Sequence, residues 1–264
     1  MVSLNKYLQG ETLYGDDFDD CQLRKWFEEE YNAFSGNLGD IKEYNYGYHA
    51  IDIICGFKFI TGTNLNVLGL GSANGIEFLP IWNKIRELTI LENSDKFIKI
   101  LVDNKKIKYK IANYKGSIDY KDDTFDLIVS LSCLHHIANV SFVILEMTRC
   151  LKKGGIMLIR EPIVSMGDWN NPRIGLTKNE RGIPLKIFRE IIKSNNLTLI
   201  SEKLWNFRPL MKILFFYKKS LFNNIFLSQI DLILSKIFQF NIHYYPTSLF
   251  HRLAPSSVYY VLKK

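Results

Sequence analysis

Asn66-Val-Leu-Gly-Leu-Gly-Ser-Ala-Asn-Gly75 is an apolar run that ends in a glycine-rich turn, and its reading decides the fold. Val67, Leu68 and Leu70 suit a buried strand, while Gly71 and Gly75 allow a tight turn and a close approach of backbone to a ligand. The pattern predicts a helix over 73–82. A second apolar strand follows and ends at Glu92, 17 positions beyond Gly75. An acidic side chain at that distance can take two hydrogen bonds from a ribose diol, so the segment reads as a nucleotide-cofactor site. A G-x-G-x-x-G dinucleotide fingerprint counted from Gly69 fails, because its third glycine position is Asn74.

Outward from this turn, the elements alternate as a doubly wound α/β sheet requires. Strands are expected at 66–70, 88–91, 108–112, 125–130 and 156–160, with helices at 73–82, 94–103, 140–150 and 184–194. Two last strands are expected at 197–205 and 257–262. Ahead of the sheet, 22–32 and 48–59 read as helices, which makes residues 1–62 an N-terminal helical cap and 63–264 the cofactor-binding domain. Between the last two strands lies an insertion, about 206–255, rich in large apolar residues. Lys212, Lys218, Lys219, Asp231 and Lys236 interrupt it, so no apolar run approaches the roughly 20 residues that cross a bilayer. It reads first as a helical cap or homodimer surface, and second as a basic amphipathic helix in peripheral contact with a membrane.

The 264 residues suffice for one α/β domain with a cap, and 47% hydrophobic with 23% charged residues is ordinary globular composition. The net charge of +7 hides an asymmetry. Residues 1–62 carry five Lys/Arg against eleven Asp/Glu, whereas 206–264 carry eight against one. A basic tail favours anionic partners without choosing among phosphates, nucleic acid and a membrane surface. Cys21, Cys55, Cys133 and Cys150 form no C-x-x-C pair and no metal-ligand spacing, so free thiols and no metal are expected. The opening Met-Val-Ser-Leu-Asn-Lys lacks the apolar core of a signal peptide, which predicts a cytoplasmic protein.

Three segments in order carry a family resemblance. Gly71-Ser-Ala73-Asn-Gly75 is similar to the G-x-G-x-G turn of class I S-adenosylmethionine-dependent methyltransferases, with Ala73 for the middle glycine and Gly69 for the acid that usually precedes it. Thr124-Phe-Asp-Leu-Ile-Val-Ser-Leu-Ser-Cys-Leu-His-His-Ile137 resembles their fourth strand and the turn after it, and Leu151-Lys-Lys-Gly-Gly-Ile-Met-Leu-Ile159 resembles their entry into strand five. The resemblance spans about 64–204 and implies a Rossmann-like seven-stranded sheet of order 3-2-1-4-5-7-6 with helices on both faces. It also implies S-adenosyl-L-methionine as cofactor. By the same resemblance the backbone around Gly69, Gly71, Ser72 and Gly75 holds the methionine part, Glu92 the ribose, and Ser117 and Ile118 the adenine edge, with Leu131 lining the pocket. An acid elsewhere, such as Asp16 or Asp17, would have to replace the one missing at Gly69.

Methyl transfer from a sulfonium is an in-line displacement that needs positioning and, for a hydroxyl acceptor, a base. His135 and His136 follow strand four at the carboxyl edge where open sheets bind ligands, and a neutral imidazole there can accept a proton. His49 from the cap and Glu161 at the end of strand five are the other candidate bases. Arg160, Asp168, Trp169 and Arg173 lie on or just beyond that strand, and their chemistry suits a sugar, sugar-nucleotide or phosphosugar acceptor. The loop also resembles the one after strand five in methyltransferases associated with bacterial surface-glycan biosynthesis, and Leu13-Tyr-Gly-Asp-Asp17 resembles their N-terminal region. Strand four lacks the Asp/Asn-Pro-Pro-aromatic signature of base-modifying relatives, which argues against a nucleic-acid substrate.

Overall fold

The computed structural model describes residues 4–37, 46–94, 107–169, 171–216 and 221–264. Helices α1 (Leu4–Leu8), α2 (Asp20–Asn37) and α3 (His49–Cys55) precede β1 (Leu65–Leu70) and β2 (Ile85–Glu92). Asp19 and Gln22 start α2 with a reciprocal capping box, Gln22 N–H to Asp19 Oδ1 at 2.8 Å and Asp19 N–H to Gln22 Oε1 at 3.0 Å. Then come β3 (Ile107–Ile111), β4 (Phe125–Leu131), α4 (Val140–Cys150), β5 (Leu151–Pro162), α5 (Leu185–Ser194) and β6 (Thr198–Phe207). Helices α6 (Arg208–Phe216) and α7 (Ile225–Ile237) lead to β7 (Pro255–Lys263).

The strands form one seven-stranded sheet of order β3-β2-β1-β4-β5-β7-β6, as the sequence led us to expect. β7 runs antiparallel between β5 and β6, and the other neighbours are parallel. Alternate side chains face opposite layers, as the strand period of two requires. Val258, Tyr260 and Leu262 join the core under α4 and α5 with Ile144, Met147 and Phe188, whereas Tyr259 and Val261 join the opposite core with Ile51, Phe78 and Trp205.

One element differs in kind from expectation. The helix anticipated over 73–82 is instead a 3-10 stretch, Ile76–Lys84, with Pro80 inside it. Proline lacks the N–H that an α-helical ladder needs and clashes with the preceding turn. The helix expected over 94–103 falls almost wholly outside the described residues.

The insertion is inside out. On α7 the buried residues are Ser228, Asp231 and Ser235, while Ile225, Phe226, Ile233 and Ile237 are exposed. Asp231 fastens the polar side by accepting the N–H groups of Asn206 and Phe207, both at 2.8 Å, at the end of β6. Burial pushes its carboxyl up to about 6.

Candidate functional site

The glycine turn closes over the carboxyl edge of β1 and β2. Gly71 donates to the Leu91 carbonyl at 2.9 Å, and Gly75 to the Ser72 carbonyl at 2.7 Å. Gly71 and Gly75 hold φ of 65° and 73°, where L side chains are strained. A Cβ on Gly71 would also collide with Cys133 Sγ, so the turn seats directly on the segment after β4. Ala73 adopts φ 45°, the conformation a glycine would take without strain.

Glu92 is buried beneath the turn and accepts the Ala73 N–H. Burial pushes its carboxyl up to about 7, against the opposing effect of the Ala73 and Asn93 amides. Gly69 has its own reason. A side chain there would run into Ser72 and Phe78, which fill the space that an acid would need. Neither expected substitute serves: Asp16 caps α4 through Ser141 N–H at 2.8 Å and its hydroxyl at 2.5 Å, and Asp17 accepts the Tyr7 hydroxyl at 2.9 Å. A second buried acid beside the turn is Glu77, one that sequence reasoning passed over. It is buried, and desolvation pushes its carboxyl up to about 8. Its only sequence signal is its place two residues after Gly75.

At the adenine edge, the Ile118 N–H already donates to Glu146 Oε2 at 2.9 Å and the Ile118 carbonyl accepts from Arg149 at 2.8 Å. A backbone contact at Ile118 is therefore taken, while the Ser117 hydroxyl accepts from Asn113 Nδ2 at 2.5 Å. Leu131 ends β4 buried behind the turn.

A single-turn 3-10 segment, Leu134–His136, follows β4 and is gripped from below by Glu161. Glu161 accepts the N–H groups of Cys133 at 2.8 Å, Leu134 at 2.7 Å and His135 at 3.3 Å, and pairs with His135 Nδ1 at 2.6 Å. With its oxygens so engaged, Glu161 orients His135 and does not stand ready as a base. His135 Nε2 faces Glu180 Oε1 at 3.6 Å, and His136 Nδ1 meets Glu30 Oε2 of α2 at 3.0 Å. Trp26 of the same helix donates to the His136 carbonyl at 2.7 Å. Fully buried Arg181 donates to the carbonyls of Tyr14, Leu134, His135, Ile137 and Ala138, which ties cap, turn and loop together. His49 lies elsewhere, edge-on to Tyr46 at 4.8 Å, its buried Nδ1 without a hydrogen-bond partner among the described residues and its basicity lowered by desolvation.

The acceptor residues expected from sequence are largely spent inside the chain. Arg160, on the other face of β5 from Glu161, pairs with buried Asp52 of α3 at 2.9 Å and lies 4.3 Å over the Tyr48 ring. Arg173 points at four carbonyls, those of Met166, Thr177, Lys178 and Glu180. Trp169 stacks on Tyr14 at 4.9 Å and 8°. Asp168 accepts from Asn171 Nδ2 at 3.0 Å. Arg173 and Trp169 therefore brace the loop after β5, and Arg160 anchors α3 on the other face of the sheet, instead of reaching for a phosphosugar. The sequence showed their chemical type but not their partners, such as Asp52, which lies 108 positions from Arg160.

Residues 68–159 match the model of a methyltransferase domain family. A curated relative, a ubiquinone biosynthesis O-methyltransferase from Pelagibacter ubique, is 31% identical over 147 residues, 53% of this chain. The match spans 60% of that relative's length. Among solved structures, an S-adenosylmethionine-dependent methyltransferase from Mesorhizobium loti superposes with TM-score 0.50 at 12% identity, covering 89% of this chain and 98% of that one. The cyclase SpnF gives TM-score 0.56 at 14% identity, covering 92% and 94%. The fold is that of class I methyltransferases, and the family match with these neighbours supports S-adenosylmethionine as the cofactor.

Proposed function

We propose that this protein is an S-adenosylmethionine-dependent O-methyltransferase. The observation that carries the reading is the turn from Gly71 to Gly75 closed over Glu92, in a segment that matches the methyltransferase domain family. The bound cofactor supplies an activated methyl group. In this reading Glu92 receives the ribose hydroxyls, the turn amides and Glu77 face the methionine end, and proton removal falls to His135, oriented by Glu161 and facing Glu180. Titration of S-adenosylhomocysteine into the protein tests it. Saturable binding is expected, and its absence would overturn the reading, because SpnF shares the fold under a cyclase name.

For the acceptor, a small hydroxylated molecule with an apolar anchor, presented at a membrane surface, is the reading best supported. Phe216, Phe226, Phe240 and Leu249 are each at least 69% exposed. The single acid in 206–264, Asp231, faces inward, so the outward surface is apolar and basic and complements anionic lipid. The Pelagibacter relative is named for ubiquinone biosynthesis. A sugar-nucleotide acceptor has less support here, since Arg160, Arg173 and Trp169 are engaged internally. Flotation with phosphatidylglycerol vesicles, beside a turnover panel of prenylated phenols and sugar nucleotides, separates the two. Binding lost in a Phe226→Ser, Ile233→Ser variant is expected. Turnover of a sugar nucleotide without vesicle binding would reverse the order.

A further inference from the structure

The corner after β4 holds more ligating groups than methyl transfer requires. His135, His136 and Glu180 each offer one ligand atom, and these atoms all lie within 4.8 Å of one another. Donors around a zinc ion at metal–ligand distances of about 2.0–2.2 Å sit roughly 3–3.5 Å apart, and the 3.6 Å from His135 Nε2 to Glu180 Oε1 is close to that. Metal-binding imidazoles characteristically give their other nitrogen to a carboxylate. His135 has that arrangement, with Nδ1 on Glu161 at 2.6 Å and Nε2 toward Glu180. His136 also has a buried carboxylate on Nδ1, that of Glu30 at 3.0 Å.

A second observation points the same way. Glu30 is 2% exposed, and its Oε1 has no hydrogen-bond partner among the described residues. A buried carboxylate oxygen left unpaired is costly. Arg173 and Arg181 act on Glu30 through charge, while their described hydrogen bonds go to backbone carbonyls. Three carboxylates, Glu30, Glu161 and Glu180, thus surround two imidazoles in a buried corner. Imidazole with carboxylate suits a first-row divalent ion better than magnesium or calcium, which favour all-oxygen shells.

We propose that His135, His136 and Glu180, with Glu30 beside them, form a binding site for a divalent transition-metal ion such as Zn2+, between the cap helix, the turn after β4 and the loop before α5. The site takes in His135 and Glu180 of the proton-removal corner, but it is read from ligand geometry alone and does not rest on the methyl-transfer reading. It departs from the sequence, whose cysteine spacing led us to expect no metal.

The test uses the full chain, stripped with chelator, dialysed against Zn2+ and analysed for metal content. One zinc per chain is expected, with His136→Ala and Glu180→Gln weakening binding on the order of 100-fold. His243→Ala is the control, because the stacked His243–His251 pair, centroids 3.9 Å apart, could collect zinc adventitiously. Retention by both corner variants, or loss in the control, overturns the proposal. Should the corner variants not fold, X-ray absorption of the zinc-loaded His243→Ala chain decides, since that variant removes the competing imidazole pair. Two imidazoles plus carboxylate oxygen are expected, and any shell without two imidazoles overturns it. S-adenosylhomocysteine titration on the same sample reads the cofactor site separately.

Discussion

The Ala73 amide donates to the Glu92 carboxyl across the mouth of the glycine turn, so the loop and the acid proposed to hold the ribose are preassembled against each other. This contact puts Glu92 under the loop before any ligand arrives, with the Asn93 amide as a second backbone partner of the carboxyl. The cost is desolvation of the carboxyl, visible in its elevation to about 7.

Cofactor affinity should therefore rise with pH. A diol donates to a carboxylate better than to a carboxylic acid, so binding strengthens as Glu92 ionises through about 7. Calorimetry with S-adenosylhomocysteine between about pH 6 and 8 is expected to show this. Glu92→Gln should weaken binding by about 10- to 100-fold at the upper end and flatten the profile. A flat profile in the natural chain would remove Glu92 from the ribose.

Ala73→Gly should be tolerated. The left-handed conformation at φ 45° costs alanine about 1–2 kcal/mol, offset in part by the extra freedom glycine gains when unfolded. Stability is expected to change by no more than about 1 kcal/mol. Gly75→Ala, strained at φ 73° and pressed 3.2 Å from both Leu88 and Ile90, should lose more than about 1 kcal/mol in urea unfolding. The reverse ranking would mean the turn is not built as described.

Glu77 should make the ligand-free protein less stable as pH rises. Its folded carboxyl titrates at about 8, above the ordinary 4.5, so between those values the folded state holds a proton that the unfolded state has lost. Stability is then full below the unfolded value and falls as pH climbs toward about 8, and Glu92 and Asp231 add to the same slope. Thermal melts across this range should show the decline, reduced in Glu77→Gln. A melting temperature that rises over the same window would contradict the burial of this carboxyl.

Breaking the Asp52–Arg160 pair should unfasten the cap. Asp52→Ala leaves a guanidinium with 1% side-chain exposure and no counterion, a change worth about 3–5 kcal/mol. Urea unfolding should register that loss, with Asp52→Asn less affected because it keeps an oxygen for the arginine. A loss below about 1 kcal/mol would show the pair to be dispensable.

The strands were legible along the chain because strand cores and glycine turns are local signals, whereas their order came from the family resemblance. Val67 and Leu68 announce a buried strand wherever they are placed, and Gly71 and Gly75 mark backbone conformations that few other residues adopt. Pro80 was equally visible, and weighting it would have forecast the 3-10 stretch. Partners were not legible, because a hydrogen bond between residues a hundred positions apart leaves no periodicity. Arg160, Arg173 and Trp169 looked like acceptor ligands until folding brought Asp52, four carbonyls and Tyr14 against them. The sequence by itself determined where the cofactor turn lies and which acid stands opposite it. Tertiary structure alone decided that Glu161 braces His135, that Glu30 faces His136, and that α7 turns its apolar side outward, since each depends on which surfaces remain uncovered once the core has closed.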